Sequence, residues 1–347
     1  MQMKSFRAAL AAGVLASATW LAGSTSVLAQ EVTLRLHHFL PAQANVPTHV
    51  LDVWADKIED ASGDRIKIER YPAMQLGGTP PQLYDQAAEG TVDIVWTLPG
   101  NTPGRFPSVE VFELPFMMTN AEATSRAYWD IFDARLRDTE FADTHILGTW
   151  VHGPGIIHSK EPVETMENLS GMTVRAPTRV ITALLTELGA NPIGMPIPQV
   201  PEALSKGVIQ GAVVPWEVTT ALRVPELVDN HTEFGGDHAL YTTTFVLAMN
   251  KAKYDSLPDD LKAILDENSG AEFSAFAGRT QQEYDAPGRK LAEGNNIIEL
   301  SAEESAKWQE AAQPVIDNWV AEMDGKGIEG QALLDEARGL IEKYTAE

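Results

Sequence analysis

The sequence predicts an α/β protein made of two lobes, and three observations support this prediction. In both halves of the chain, segments with strand-like alternation are separated by segments with helical periodicity, an order typical of mostly parallel sheets covered by helices. About 318 of the 347 residues remain after an N-terminal leader, more than one hydrophobic core usually spans. No internal repeat or low-complexity tract indicates another architecture.

Residues 1–29 have the pattern of a secretory signal peptide. Lys4 and Arg7 precede an uncharged stretch over residues 8–21, and small residues lead to Ala29, where we expect cleavage. No second apolar span of the ~20 residues that a transmembrane helix needs follows. The chain has no cysteine, which excludes disulfides, thiol catalysis and a lipid-modified N-terminal cysteine. We therefore expect a free periplasmic protein that is not embedded in a membrane.

The charge of the chain bears on its partners. The formal net charge is −23, and it becomes −25, with 24 basic and 49 acidic residues, once the leader is removed. A stripe of basic residues that could displace counterions from phosphates is absent, so nucleic acid is not an expected partner.

The first lobe, predicted over residues 30–150, begins with a strand that alternates from Val32 and ends at His38. The next helix has an apolar face and stops before Gly63; the face comprises Val50, Val53, Trp54 and Ile58. The remaining elements are a strand over Arg65–Tyr71, a helix over Pro80–Glu89 and a strand over Val92–Trp96. The order is β-α-β-α-β, which predicts a mostly parallel sheet.

The second lobe, predicted over residues 151–245, repeats this plan. Its elements start near His145 with a strand over Ile146–Val151, followed by a strand over Met172–Arg175, a helix over Thr178–Leu188 and a strand over Gly211–Val214. The helix has Ile181, Leu184, Leu185 and Leu188 on its inward face.

Residues 246–347 complete the fold. A strand over Tyr241–Met249 is expected to return to the sheets. Residues 259–286 contain no proline and predict one very long helix that braces both lobes. Residues 301–320 and 331–344 predict two further amphipathic helices.

A ligand site is expected where the parallel strands end, because ligands of open α/β sheets bind beyond the carboxyl ends of the strands. The residues that the sequence places there are His38, 97–101, 150–155, Arg175, Trp216 and Glu217. This set is rich in aromatic side chains and contains one cation at a strand end.

Arg175 is the strongest single candidate. Pro177 keeps the residue before it extended, and Thr178 can cap the next helix. The planar guanidinium matches a carboxylate through two hydrogen bonds, each worth about 1.5 to 3 kcal/mol when charge-assisted. A salt bridge between surface elements is the alternative role.

The other candidates carry alternatives of their own. Trp150 and Trp216 offer faces for an unsaturated or aromatic ligand, or else belong to the core. Three roles are open for Glu217: it accepts a hydrogen bond from a ligand hydroxyl, it helps to hold a cation, or it forms an ion pair with Arg175. The ion pair is the favoured interpretation. His38 cannot chelate a metal together with His37, because neighbours on a strand point to opposite faces. A structural, hydrogen-bonded role for His38 is as well supported as a ligand-binding one.

Sequence signatures of several enzyme classes are absent. The chain has no G-x-S-x-G elbow, no H-E-x-x-H and no P-loop lysine motif. Gly153 and Gly155 begin a G-x-G-x-x-G pattern, but His158 occupies its third glycine position. An enzyme that uses Glu217 with His38 or His152 as acid and base stays the alternative from another functional class.

Seven segments, in order along nearly the whole mature chain, resemble the solute receptors of tripartite ATP-independent periplasmic (TRAP) transporters of the DctP type. These segments are Leu36–Pro41, Ala73–Gly78, Glu113–Phe116, Asn168–Pro177, Leu188–Pro192, Ala203–Gly211 and Met249–Lys251. Each one is weak evidence alone, whereas seven in register are specific.

The resemblance implies a periplasmic binding protein fold, in which two α/β lobes close over an organic acid in the cleft and a long helix spans both. It implies delivery of the acid to separate membrane subunits that are driven by an ion gradient. It also implies that Arg175 forms the salt bridge with the ligand carboxylate. A sensory partner that recognises the same closed form is a further alternative.

Two departures from the family pattern restrict the class of acid that we expect the protein to bind. Pro154 stands where many sugar-acid and dicarboxylate receptors carry a second arginine, and Val214 stands where they often carry asparagine. A second carboxylate clamp is therefore missing, although Arg105 could replace its charge unless it forms a loop ion pair. The Pro215-Trp216-Glu217 segment is similar to the branch that binds monocarboxylates, some with a cation near that glutamate.

We therefore expect a receptor for a small aromatic, 2-oxo or 2-hydroxy monocarboxylate, with a C4-dicarboxylate or sugar-acid receptor as the alternative. No cofactor is expected, and a sodium or calcium ion at Glu217 is the alternative. A monomer is expected, and a dimer is the alternative. The predicted ligand-binding residues are Arg175, Trp216, Glu217, Trp150, His152, His38, Arg105, Asn101 and Tyr241.

Overall fold

The computed structural model describes residues 31–347, so the leader predicted over residues 1–29 lies outside the described residues. The described part contains eleven strands in two sheets and twelve α-helices. None of its helices combines the length and the apolarity that a membrane span needs.

The strands are numbered in chain order. They are β1 (Val32–His37), β2 (Ile66–Tyr71), β3 (Ile94–Thr97), β4 (Thr144–Val151), β5 (Gly155–Ser159), β6 (Thr173–Ala176), β7 (Asn191–Gly194), β8 (Gly211–Pro215), β9 (Asn230–Phe234), β10 (Thr244–Asn250) and β11 (Asn296–Leu300).

The helices are numbered in the same way. They are α1 (Asp52–Ala61), α2 (Leu83–Ala88), α3 (Ala121–Ile131), α4 (Arg179–Glu187), α5 (Val200–Ser205), α6 (Trp216–Leu222), α7 (Lys251–Asp255), α8 (Asp259–Glu267), α9 (Ala271–Glu283), α10 (Asp285–Leu291), α11 (Ala302–Gly325) and α12 (Gly330–Thr345).

The first sheet has the order β2-β1-β3-β10-β4. β1, β2 and β3 are parallel, and β10 runs antiparallel to both β3 and β4. Thr244 at the start of β10 pairs with Val151 at the end of β4, and Val246 pairs with Thr97 at the end of β3. The segment that enters β10 therefore lies at the edge where the parallel strands end.

The second sheet has the order β11-β9-β5-β8-β6-β7. β8, β6 and β7 are parallel, while β5 runs antiparallel to β8, with Gly155 opposite Pro215. Residues 152–154 connect the end of β4 in one sheet to the start of β5 in the other, and residues 235–243 return the chain to β10. Both connecting segments start or end at the sheet edges where the parallel strands finish, so these two edges lie next to each other.

The elements that local patterns predicted mostly occur within a few residues of their expected bounds, whereas β5, β7, β9, β11, α3, α5, α6 and α7 were not predicted. The inward face of α4 is confirmed, because Ile181, Leu184, Leu185 and Leu188 are all buried. Both predicted C-terminal helices are also present, as α11 and α12. On α1, the prediction that Val53 belongs to the buried face is wrong, because Val53 is 47% exposed.

The assignment of the Ile146–Val151 strand to the second lobe's set is wrong. This strand is β4, and its whole length pairs with β10 in the first sheet. Alternation specifies that a strand forms but not which strand will be its partner, because that partner is a hundred residues away in the sequence.

The single long helix predicted over residues 259–286 is interrupted. α8 ends at Glu267, and α9 begins only after Gly270, which has φ +82° and donates its N–H to the carbonyl of Leu147 at 2.7 Å. A second interruption occurs at Tyr284, between the end of α9 and the start of α10. The bridging role is nevertheless present, since α9 packs on β4 and α10 packs on α6.

Candidate ligand-binding site

A partly open cavity, with about 510 Å³ of empty space that includes open solvent, lies between the strand ends of the two sheets. Its lining comes from the segments after β1 and β3, from the two connecting segments, from the ends of β6 and β8, and from α9. The position agrees with the strand-end rule for α/β sheets.

Arg175 projects into this cavity from β6, which lies between β8 and β7 in the second sheet. Its Nε donates to the carbonyl of Met195 and its Nη1 to the carbonyl of Val213, both at 3.0 Å. Val213 lies on β8 and Met195 directly follows β7, and these are the two strands that pair with β6 at Arg175. Backbone carbonyls from both sides of β6 therefore fix the plane of the guanidinium.

The positive charge of Arg175 is not neutralised by the described part of the chain. The side chain is 3% exposed, and no acidic residue among 31–347 forms an ion pair with it. Burial lowers the pKa of Arg175 to about 10, so it stays charged at neutral pH. A buried, unpaired charge is unfavourable, and an anionic ligand in the cavity would relieve this cost.

Tyr241 provides a second hydrogen-bond donor beside Arg175. It is 1% exposed, and its hydroxyl has no hydrogen-bond partner within the described chain. Burial raises the pKa of Tyr241, so the phenol is protonated and able to donate. The ring packs directly on Gly155, where a Cβ atom would lie 2.1 Å from it. Glycine at this position is what allows the ring to reach the cavity.

An aromatic wall, formed by Phe39, Trp96 and Phe245, closes the first-lobe side. The ring of Trp96 stacks on Phe39 with centroids 4.5 Å apart and lies 5.4 Å from Phe245. Trp96 Nε1 is buried without a partner in residues 31–347. Trp150 does not line the cavity but stacks behind this wall, 6.2 Å from Trp96.

Glu217 lines the same cavity and is 3% exposed. Gln281 Nε2 donates to its Oε1 at 2.7 Å, and Asn45 Nδ2 donates to its Oε2 at 3.3 Å. Burial raises the pKa of Glu217 to about 7, although the two amides oppose the shift. The ion pair with Arg175 that the sequence favoured is not formed.

His152 and Asn101 complete the predicted residues that reach the cavity. The N–H of Thr243 donates to His152 Nε2 at 3.1 Å, so Nδ1 carries the proton and donates to the carbonyl of Gly153. Burial lowers the pKa of His152 to about 4. His152 is therefore a neutral, fully bonded part of the wall.

The remaining predicted residues lie elsewhere. Trp216 donates a hydrogen bond to Glu233 Oε1 at 2.6 Å, and its ring packs against both His158 and His231 inside the second lobe. Arg105 pairs with Asp85 and Asp143, so it does not bring a second positive charge to the cavity. His38 packs beside Trp96 behind the cavity lining.

Several lining residues were not predicted. Thr243 and Phe245 alternate with the predicted Tyr241 along one extended segment, and all three line the cavity, a period of two that could have identified the whole set. Phe39 and Trp96 directly adjoin His38 and Thr97, which the strand-end rule selected. Gln281 has no such signal, because it lies within a helix far from any strand end.

Within residues 31–347, no group of three or more histidine, aspartate or glutamate side chains is arranged to hold a metal ion.

Comparison with known proteins places these features in a family. Residues 36–323 match the model of the bacterial extracellular solute-binding protein family 7, DctP. The C4-dicarboxylate-binding periplasmic protein DctP of Rhodobacter capsulatus is 25% identical over 336 residues, which cover 93% of this chain and 96% of that protein.

Two solved structures share the fold at higher identity. A TRAP solute-binding protein from Rhodoferax ferrireducens, in complex with copurified benzoate, is 51% identical with a TM-score of 0.89, covering 90% of this chain and 98% of its own. A marine metagenome TRAP solute-binding protein specific for aromatic acid ligands, in complex with 3-hydroxybenzoate, is 45% identical. Its TM-score is 0.89, and the match covers 91% of this chain and 99% of that protein's chain. With a cavity between two α/β lobes and a family match over residues 36–323, the chain belongs to the DctP-type TRAP solute-binding proteins.

Proposed function

We propose that this protein captures an aromatic monocarboxylate in the periplasm and presents it to the membrane subunits of a TRAP transporter. The observation that supports this most strongly is Arg175, a buried cation with no acidic partner in the described chain, facing a cavity with an aromatic wall. The ligand carboxylate would supply the missing charge, and Tyr241 would supply a second donor to it.

The aromatic wall favours a ring over a short aliphatic acid. Burial of apolar surface contributes roughly 25 cal/mol per Å², and favourable aromatic contacts add about 0.5 to 1.5 kcal/mol. Pyruvate-like acids would leave most of this wall uncovered. The solved relatives at 51% and 45% identity carry benzoate and 3-hydroxybenzoate, which supports the same ligand class here.

The charge of the lining argues against dicarboxylates. Arg175 is the one basic residue that contacts the cavity in the described structure, and Glu217 adds an acid. A second ligand carboxylate would be buried without a cation, which is unfavourable. A C4-dicarboxylate receptor, such as the relative from Rhodobacter capsulatus, is therefore the weaker candidate.

A ligand panel tests this proposal. The mature protein is mixed with benzoate, 3-hydroxybenzoate, pyruvate, succinate or galactonate, and thermal shifts and calorimetric affinities are measured. At a hundred times the dissociation constant, a true ligand stabilises the protein by about 2.7 kcal/mol. Benzoate-type acids should produce the large shifts, with or without added sodium or calcium. A large shift with succinate or galactonate and none with benzoate would refute the proposal.

The periplasmic location is tested through the leader. We propose cleavage after Ala29, so intact-mass analysis of the periplasmic fraction should find a chain that begins at Gln30. A cytoplasmic protein that retains residues 1–29 would contradict this part of the proposal.

A transport role is separated from a sensory one by genetics. Deletion of the gene should abolish uptake of the labelled acid, and wild type but not Arg175→Ala should restore it. Uptake that persists in the deletion strain, with loss of chemotaxis instead, would favour the sensory alternative.

The alternative of a secreted enzyme has little support at the site. His152 uses both ring nitrogens in hydrogen bonds, and His38 does not line the cavity, so Glu217 has no histidine partner for acid-base chemistry. Chromatography after a long incubation should return benzoate unchanged. Formation of a product would revive this alternative.

A further inference from the structure

Glu217 has unused hydrogen-bonding capacity at the cavity. A carboxylate has about four lone-pair directions, whereas each oxygen of Glu217 accepts one hydrogen bond, from Gln281 or from Asn45. Its backbone N–H is occupied separately by Asp285 Oδ1 at 2.9 Å. The carboxylate can therefore accept a hydrogen bond from a ligand and still keep the hydrogen bonds from Gln281 and Asn45.

The orientation of Gln281 fixes this accepting role. The indole N–H of Trp150, which can only donate, lies 2.9 Å from Gln281 Oε1. The amide of Gln281 must then present its NH₂ group to Glu217 Oε1, because a flipped amide would place two donors against each other. Glu217 Oε1 is thus an acceptor, and Oε2 is the oxygen held less firmly, at 3.3 Å from Asn45.

The charges of the site point the same way. Arg175 and Glu217 line one cavity with opposite charges, and neither has a charged partner of opposite sign in the described chain. A carboxylic acid without another polar group would satisfy only the arginine. Burial raises the pKa of Glu217 to about 7, so the carboxylate is mostly ionised at mildly alkaline pH and would accept strongly from a donor.

We propose that Glu217 makes this receptor select acids whose ring or side chain carries a hydroxyl, with the hydroxyl donating to Glu217 while the carboxylate binds Arg175. This inference rests on the proposed function, since it assumes that an aromatic carboxylate occupies the cavity. It assigns Glu217 as a specificity-determining residue and not as a cation ligand.

The test compares benzoate with its 2-, 3- and 4-hydroxy derivatives at pH 8, by calorimetry on the mature protein. The 2-, 3- and 4-methoxybenzoates are the matched controls, because an ether oxygen in place of the hydroxyl cannot donate. At least one hydroxybenzoate should bind about 10- to 100-fold more tightly than both benzoate and its methoxy counterpart, the range expected of a hydrogen bond to a charged group.

Glu217→Gln should remove this preference, so that each hydroxybenzoate and its methoxy counterpart bind with similar affinity. In this variant, Oε1 can still accept from Gln281. Once the Asn45 amide flips, the new NH₂ group can donate to Asn45 Oδ1, which has no partner among the described residues. Glu113→Gln is the control, because Glu113 is also buried and its pKa is also raised to about 7, but it lies outside this cavity.

The outcomes separate the two proposals. Absence of binding by benzoate and by every hydroxybenzoate would overturn the proposed function itself. Equal affinities for benzoate, hydroxybenzoates and methoxybenzoates would overturn the role of Glu217 while leaving the function in place. A preference that survives in folded Glu217→Gln, or that disappears equally in Glu113→Gln, would also overturn it. The wild-type series decides the question of selectivity even if a variant does not fold.

Discussion

Arg175 and Glu217 line the same cavity as oppositely charged side chains, each 3% exposed, without forming an ion pair with each other. Backbone carbonyls of the second sheet hold the guanidinium, and amides from the first lobe and from α9 hold the carboxylate. Because the protein satisfies each group separately, both keep hydrogen-bonding capacity for a ligand.

Replacement of Arg175 tests the charge in the cavity. We expect Arg175→Ala to weaken benzoate binding tenfold or more, equivalent to at least about 1.4 kcal/mol. The melting temperature of the empty protein should change little, because loss of an unpaired buried charge offsets loss of two hydrogen bonds to carbonyls. Calorimetry and thermal denaturation measure the two effects.

Arg175→Lys is the companion variant. It keeps the charge but loses the planar fork, so it should bind between wild type and Arg175→Ala. Wild-type affinity in Arg175→Ala would mean that the carboxylate binds elsewhere.

Gly155→Val tests the position of Tyr241. A Cβ atom at residue 155 would lie 2.1 Å from the ring, so the tyrosine must move. We expect a loss of about 1 to 3 kcal/mol in the free energy of unfolding, as for other overpacked sites, together with weaker ligand binding. Urea denaturation and calorimetry are the measurements. Gly294→Val is the control, since nothing lies within 4 Å of its Cβ position; similar effects from both variants would contradict the explanation.

Arg179→Ala tests a contact between the lobes. Arg179, at the start of α4, pairs with the buried Glu110 and, at 2.8 Å, with Glu322. Its removal leaves Glu110 buried without a cation, so we expect the free energy of unfolding to fall by roughly 2 to 4 kcal/mol. Lys206→Ala, which removes an exposed pair with Glu202, should cost less than about 1 kcal/mol. Equal urea midpoints for the two variants would show that the Arg179 contact contributes nothing special.

A buried histidine pair predicts a pH dependence of stability. Asn295 donates to His231 Nε2 at 3.0 Å, the two Nδ1 atoms of His231 and His158 lie 2.7 Å apart, and His158 Nε2 contacts the carbonyl of Val214. Burial lowers the pKa of both imidazoles, that of His231 to about 4. Between about pH 6.5 and about pH 4, the two histidines bind protons in the unfolded chain but stay neutral in the folded one. This pair therefore lowers the free energy of unfolding as the pH falls through that range.

The measurement is the change in the urea midpoint between pH 7.5 and pH 5.0. Glu113 and Glu217, whose pKa values are raised, act in the opposite direction, so the informative quantity is the difference between a variant and wild type. His231→Gln should reduce the acid-induced loss, whereas the exposed His238→Gln serves as the control. An unchanged pH response in folded His231→Gln would refute the assignment.

The extent to which the sequence anticipated the site differs between residues. The place of Arg175 in the cavity was predicted from its position at a strand end before Pro177. Four other predicted residues also line the cavity: Asn101, His152, Glu217 and Tyr241. Trp216 looked equivalent to Glu217 from the sequence, but successive residues at the start of a helix point in different directions, and the indole turns into the core.

Local chemistry along the chain predicted the α/β class, many of the strands and helices, the acidic charge and the single cation expected at a strand end. Only the tertiary structure decided that β4 pairs with β10, that Gly270 interrupts the bridging helix to bond Leu147, and that Gln281 meets Glu217. The physical reason is the sequence separation over which each kind of interaction acts. Periodicity and capping act over a few neighbouring residues, whereas these three contacts join segments whose partners are chosen by packing across the folded molecule.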